Sequence, residues 1–247
     1  NQLFFVEDPG RLWRSDGTAA GTVPVATFAA CQAPVDLSGT ALFVADDGIS
    51  GADLWRSDGT PGGTSLVLDF VGNAVSAPGY DLVRLGARCY FAADDGITGT
   101  ELWSTDGTSA GTQLEADLLP GPASSFPRVL FAAASIGRLL FWANTSATTA
   151  AYELFATDGT PAGVQLLDLW NGPTQHLPTA FFDHAGQVFF VARDPATGTE
   201  PWVTQGTQAT TRLIADIVPG ANGSTSGPFA ALGADAVFVA GEAQNGP

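Results

Sequence analysis

Carboxylates are the side chains of this sequence best placed to do chemistry. Two adjacent pairs, Asp46 with Asp47 and Asp94 with Asp95, lie in glycine-rich stretches 48 residues apart. Asp69, Asp117, Asp168 and Asp216 close short alternating segments, at steps of 48, 51 and 48 residues. Carboxylates joined by carbonyls from glycine-rich loops are ligands for a hard cation, and the ion such a set would take is Ca2+. Asp47 and Asp95 are the candidate ligands, although the pattern requires no cofactor. The spaced Asp-x-Asp-x-Asp-Gly loop is absent, and turn formation explains the same residue types. For catalysis, the sequence offers two histidines, His176 and His184, neither in a recognisable motif. It shows no Gly-x-Ser-x-Gly and no phosphate loop. Acid pairs for glycoside hydrolysis are abundant, but their separation is not readable from sequence. Cys31 and Cys89 have no metal-ligand spacing and read as two free thiols. Asn144-Thr-Ser146 and Asn222-Gly-Ser224 match the N-glycosylation pattern.

These acids ride on a repeat. Glu101-Leu-Trp-Ser-Thr-Asp-Gly-Thr108 stands whole, with edited copies at Arg11–Thr18, Asp53–Thr60, Glu153–Thr160 and Glu200–Thr207. Its aromatic position, occupied by Trp13, Trp55, Trp103, Phe155 and Trp202, advances by 42, 48, 52 and 47 residues. A period near 48 marks supersecondary units that bury their apolar faces only by stacking on copies of themselves. Each unit reads as four short strands, here a to d. Strand a ends near a glycine, as at Phe181–Gly186. Strand b is an apolar run buried on both faces, as in Leu42-Phe-Val-Ala45 and Val188-Phe-Phe-Val191. Strand c is the Glu-Leu-Trp segment, Asp-Gly then forms a tight two-residue hairpin, and strand d alternates, as in Gln113–Asp117.

No segment keeps a helical period. The expectation is an all-β chain, a β-propeller of four-stranded antiparallel blades, with about five blades visible plus part of a sixth. Residues 1–247 then form a single repeat array. The b run occurs six times and the c and d strands five times. Loops of an up-and-down blade alternate between faces. The b–c loops carrying Asp46, Asp47, Asp94 and Asp95 therefore share a face with the ends of the d strands, and the c–d hairpins lie opposite. The motif Trp packs between neighbouring blades, and Asp16, Asp58, Asp106 and Asp158 hydrogen-bond to amides of their own turns.

Composition narrows the partners. There are 25 acids against nine bases, all of them Arg, for a net charge of −16. That argues against nucleic acid and against anionic membrane surfaces, and no run of 18 apolar residues predicts membrane insertion. The sequence starts inside a repeat, so it is expected to be a segment of a longer protein. It sets no oligomeric state.

Glu101–Thr108 and the preceding Ala93-Asp-Asp-Gly-Ile-Thr-Gly-Thr100 resemble the ELWxxDGT repeat proteins, large bacterial extracellular or surface proteins, many from myxobacteria. The resemblance spans essentially the whole chain. It implies a secreted, extracellular or cell-surface location and marks a family, not an activity. The Asp-Gly turn is similar to the Asp-box of sialidase-like propellers, and the strand logic to Kelch-type propellers as architecture alone. Phe155 replaces the motif Trp, Pro201 the Leu and Gln205 the turn Asp, and Asn144-Thr-Ser-Ala-Thr-Thr-Ala-Ala replaces the acidic turn of the fourth unit. The expected function is a non-enzymatic structural or adhesive module that binds a glycan or surface protein through its acidic loop face. The alternative is a carbohydrate-active enzyme, a glycoside hydrolase or lyase, with a carboxylate site on that face.

Overall fold

The computed structural model describes residues 2–49, 51–70, 82–147, 152–169 and 178–241. Its elements are strands with three short 3-10 turns, arranged as separate antiparallel sheets. Sheet 1 holds β1 (Leu3–Glu7), β2 (Arg11–Ser15) and β3 (Val23–Thr27). Sheet 2 holds β4 (Ala30–Cys31), β5 (Val35–Leu37), β6 (Thr40–Asp46), β7 (Ala52–Ser57) and β8 (Ser65–Leu68), with both β4 and β5 paired to β6. Sheet 3 is β9 (Val83–Leu85), β10 (Arg88–Asp94), β11 (Thr100–Thr105) and β12 (Gln113–Ala116). Sheet 4 is β13 (Arg128–Ala133), β14 (Arg138–Asn144), β15 (Tyr152–Thr157) and β16 (Gln165–Leu166). Sheet 5 is β17 (Thr179–His184), β18 (Gln187–Asp194), β19 (Gly198–Thr204) and β20 (Arg212–Leu213). Sheet 6 is β21 (Thr225–Leu232) with β22 (Asp235–Gly241). Each full sheet thus runs a–b–c–d, with β6, β10, β14 and β18 as b strands. The chain packs as two compact units, Asn1–Leu130 and Phe131–Pro247.

Burial on both faces explains the apolar b runs: Leu42, Phe43, Val44 and Ala45 are all buried, as are Tyr90 to Ala93 and Leu139 to Ala143. Along strand c, successive side chains point to opposite faces. The motif Leu therefore packs on one neighbouring sheet and the motif Trp on the other. Leu12 shares a cluster with Phe28, Phe43 and Trp55 of sheets 1 and 2. Leu54 meets Phe70, Phe91 and Trp103 between sheets 2 and 3, and Leu154 meets Phe190 and Trp202 between sheets 4 and 5. Each such core is thus built by the Leu of one sheet and the Trp of the next. Phe28 and Phe70 meet Trp55 and Trp103 edge to face, with ring centroids 5.0 and 5.2 Å apart, an arrangement favoured by the ring quadrupoles. Phe155 keeps the apolar position and stacks on Phe141. The pairing register shifts at Leu12/Trp13, Leu54/Trp55 and Leu102/Trp103, so these three copies carry a bulge between strands c and d at the same motif position.

The c–d connection differs from the two-residue hairpin read from Asp-Gly. β7 ends at Ser57 and β8 starts at Ser65, with a 3-10 turn at Pro61–Gly63 between them. The glycine does take positive φ, +92° at Gly59. The following Thr-x-x-Gly, however, continues the turn.

Candidate functional site

The c–d turn is a closed hydrogen-bond circuit. In sheet 3, Asp106 Oδ1 accepts from Thr108 N at 2.9 Å and from Thr108 Oγ1 at 2.7 Å. Thr108 Oγ1 accepts from Gly111 N at 3.0 Å, and Thr112 Oγ1 donates to Thr108 O at 2.7 Å. Thr105 and Thr112 join their hydroxyls at 2.7 Å across the base of the turn. The same circuit closes around Asp16 and Asp58, and Asp158 makes the two bonds to Thr160. The bonds from Thr18, Thr60, Thr108 and Thr160 hold Asp16, Asp58, Asp106 and Asp158 below the usual carboxylate range.

A glycine five residues on is part of this circuit, and the sequence reading missed it. A Cβ on Gly21, Gly63, Gly111 or Gly163 would lie about 2 Å from the carboxylate of Asp16, Asp58, Asp106 or Asp158. Sheet 5 supports the pairing. There Gln205 replaces the Asp and Thr210 the glycine, and Thr210 Oγ1 accepts from Gln205 N and Thr207 N, at 3.2 and 3.3 Å. The signal available in the sequence was the recurring Asp-x-x-x-x-Gly and its joint loss in one copy.

The b–c loops are tied in the same way. Asp46 Oδ1 accepts from Gly48 N at 2.7 Å and Asp47 Oδ1 from Ile49 N at 2.9 Å. Asp94 Oδ1 accepts from Gly96 N at 2.7 Å, and Asp95 Oδ1 accepts from Ile97 N, Thr98 N and Thr98 Oγ1 at 2.9, 2.8 and 3.0 Å. Slight burial works against ionisation of Asp95, but the amides of Thr98 and Ile97 outweigh it and the carboxyl is lowered. In sheet 4, Asn144 takes the place of Asp46 and accepts from Ser146 N at 3.3 Å, so this departure keeps the turn. Residues 148–151 of that copy lie outside the described residues. What the loops of sheets 2 and 3 present outward is Ile49 and Ile97, 89% and 72% exposed.

The first motif residue is a buried latch. Glu101 and Glu200 are fully buried at the start of strand c. Glu101 accepts from Leu118 N at 3.1 Å, Ser125 N at 2.9 Å and Ser125 Oγ at 2.5 Å. Glu200 accepts from Val218 N, Ser224 N and Ser224 Oγ at 3.2, 2.8 and 2.6 Å. Asp53 does so for Phe70 N at 2.9 Å. Burial pushes Glu101 above the usual range and the Asp117 charge adds to this, against the bonds from Ser125 and Leu118. Burial and Asp168 likewise raise Glu153. Ser224, the hydroxyl residue of the Asn222-Gly-Ser224 glycosylation pattern, is buried in this latch.

The remaining candidates do not converge. Asp69 and Asp216 are exposed, Asp117 is half-buried, and Asp168 offers its main-chain oxygen to Gln208 at 2.8 Å. Among the described residues, no three His, Cys, Asp or Glu side chains come together to hold a metal. His184 stacks on Phe182, and His176 lies outside the described residues. Cys31 and Cys89 are free thiols in β4 and β10, pushed by burial to about 12 and about 11. The indole nitrogens of Trp55, Trp103 and Trp202 make no hydrogen bond among the described residues, as befits packing between sheets. Sheet 3 also carries a partly buried ionic cluster that the sequence reading did not single out. Arg88 Nε donates to Ser104 Oγ at 2.9 Å, Arg88 Nη2 to Gly111 O at 2.9 Å, and Ser104 to Glu115.

No family model and no curated protein matches the chain. Solved structures do. A structure of prolyl endopeptidases aligns with TM-score 0.50 and 15% identity, over 86% of this chain and 32% of that one. Puromycin hydrolase aligns with TM-score 0.49 and 19% identity, over 98% and 40%. The β-propeller domain of the Trilobed protease from Pyrococcus furiosus aligns with TM-score 0.49 and 10% identity, over 98% and 74%. The fold is a β-propeller. The chain spans well under half the length of the first two proteins.

The expectation of a glycan-binding or surface-protein-binding adhesive face, with a carbohydrate-active enzyme as alternative, is corrected. Asp46, Asp47, Asp94 and Asp95 each accept from amides of their own loops through one carboxylate oxygen. The solved propellers that align with the chain include structures of prolyl endopeptidases.

Proposed function

We propose that the chain is a non-catalytic propeller platform within a larger protein that works on polypeptides. The observation carrying this reading is that the recurring carboxylates are engaged in turn circuits and latches, which supports rigidity in place of turnover. The polypeptide part rests on the prolyl endopeptidases to which the fold is similar. A location outside the cytoplasm belongs to the same reading, through the resemblance to ELWxxDGT repeat proteins. The test offers the purified chain a peptide library and a polysaccharide panel. Neither should be cleaved. Removing the segment from its parent protein should change that protein's handling of peptides and leave polysaccharides untouched. Turnover by the isolated chain, lost on Asp95→Asn, would overturn the platform reading, and an unaltered parent would overturn the polypeptide part.

A further inference from the structure

Asp-Gly occurs six times in the chain, at Asp16, Asp47, Asp58, Asp95, Asp106 and Asp158. This dipeptide carries a reaction of its own. The glycine nitrogen attacks the aspartate Cγ, the new C–N bond closes a succinimide ring, and the carboxyl loses an oxygen as water. Water then opens the ring on either side. It returns aspartate or leaves isoaspartate, with the main chain routed through the former side chain. No oxidant or cofactor enters. Glycine is the neighbour that hinders the attack least, since it has no side chain.

In every copy the attacking nitrogen is engaged. Gly17, Gly59, Gly107 and Gly159 donate their N–H to the hydroxyls of Ser15, Ser57, Thr105 and Thr157, at 3.1, 3.0, 2.9 and 3.0 Å. Gly48 and Gly96 donate to Asp46 and Asp94, both at 2.7 Å. The acceptor is always the residue before the reactive aspartate. Loops of different sequence at opposite ends of strand c thus make one bond, through a hydroxyl in one and a carboxylate in the other. This gives the paired aspartates of the b–c loops unequal roles: Asp46 and Asp94 hold the glycine, and Asp47 and Asp95 are the residues at risk. The electrophile is held too. Each reactive carboxylate accepts from the amide after the glycine, that of Thr18, Ile49, Thr60, Ile97, Thr108 or Thr160. Asp16, Asp58, Asp95, Asp106 and Asp158 are also kept below the usual carboxylate range, so little of the neutral acid that can release water is present. Asn222-Gly223 follows Ala221, and its glycine is tied instead by a main-chain bridge to Thr199. The side-chain bond recurs where no aspartate is present, from Gly206 to Thr204 at 2.9 Å. It therefore builds the turn as well, and a test has to separate the two roles.

We propose that the residue preceding each Asp-Gly is a guard against isomerisation. Ser15, Asp46, Ser57, Asp94, Thr105 and Thr157 hold the glycine nitrogen off the neighbouring carboxyl and keep these turns chemically intact. Their role is independent of the platform reading.

The 247-residue protein is incubated warm at mildly acidic pH, and isoaspartate at each position is counted after digestion by chromatographic separation of the isomeric peptides. A free peptide copying Arg56–Pro61 gives the unguarded rate, and the folded Asp58 should fall well below it. Ser57→Ala should raise isoaspartate at Asp58 about fivefold, the factor set by loss of one hydrogen bond, with Asp16 and Asp106 of the same molecules unchanged. Ser57→Thr, the residue type found in sheet 3, should keep the slow rate. Thr64→Val removes the hydroxyl that pairs with Ser57 and donates to Thr60 O but leaves the guard, so Asp58 should stay slow. In the other loop, Asp46→Ala should accelerate Asp47 by a similar factor and Asp46→Asn should not. Unchanged rates in Ser57→Ala and Asp46→Ala would overturn the proposal. So would a rise in Thr64→Val equal to that in Ser57→Ala, since turn rigidity would then be the protection. An equal rise at Asp16 and Asp106 in Ser57→Ala would overturn it too, since unfolding would then set the rate.

Discussion

A methyl group on Gly111 would lie 2.1 Å from Asp106 Oδ1, well inside contact distance, and the backbone there needs no positive φ. Gly111→Ala should therefore cost about 1–3 kcal/mol through overpacking alone. In Asp106→Ala/Gly111→Ala the clash is gone, so the two costs should sum to more than the double variant loses. Urea denaturation of the four proteins measures this, and strict additivity would break the pairing. Sheet 5 offers the reverse test: Gln205→Asp should destabilise beside Thr210 and be tolerated once Thr210→Gly is added. The turn carboxylates also set the acid limit. Asp16, Asp58, Asp95, Asp106 and Asp158 bind protons less tightly folded than unfolded. Their contribution is present above the ordinary value of 3.8 and is lost as pH falls through their lower folded values. Melting temperature should drop in that window, and less steeply in Asp106→Asn. The Asp–Thr part of the circuit was legible from turn chemistry. The glycine was not, because its reason is a steric contact with a side chain five residues earlier.

At the scale of elements, the b strands were readable because burial on both faces leaves no room for polar residues at any position. The Glu101 latch was not readable because its bonds join residues 17 to 24 apart, and no local pattern shows them. Asp-Gly fits a two-residue hairpin, yet the Thr-x-x-Gly that follows builds a longer turn. The acids of the b–c loops also form turns, accepting from amides two or three residues away. The Glu101 latch allows a direct test. Glu101→Ala removes the acceptor of three bonds, so amides of Leu118 and Ser125 should exchange faster while those of β10 and β11 stay protected. Exchange spreading evenly through sheet 3 would show that Glu101 supports the whole sheet and not one loop. Its pH behaviour runs opposite to that of the turn aspartates. Glu101 is raised by burial and by Asp117, so the folded chain holds that proton more tightly than the unfolded one. The stability it contributes is complete below about 4.5 and declines as pH rises through the folded value. Glu101→Gln should lack this decline, whatever its absolute stability.

For the whole molecule the governing quantity is charge. With 25 acids, nine arginines and a net charge of −16, the folded chain repels itself. The ion pairs Arg84–Asp36, Arg138–Asp158 and Arg88–Glu115 relieve this only locally. At about 0.01 M salt the screening length is near 30 Å, and at 0.15 M about 8 Å, so added salt should raise the melting temperature. A stabilisation of 1 kcal/mol corresponds to about 2–4 °C in a chain of this size. This background decides how calcium is to be tested. Any divalent salt will screen the acids, and a rise on adding CaCl2 alone says nothing about a site. The informative comparison is CaCl2 against NaCl at equal ionic strength. A calcium site needs six to eight oxygens, whereas Asp47 and Asp95 each have one oxygen already held by loop amides, and among the described residues neither belongs to a group of three His, Cys, Asp or Glu side chains placed to hold a metal. The two salts should therefore give equal shifts. An excess of several degrees with calcium, abolished in Asp95→Asn, would mean that the loop opens to give up its amide bonds to the ion. The b–c loops of sheets 2 and 3 would then be metal-dependent elements, and Ile49 and Ile97 would move with them.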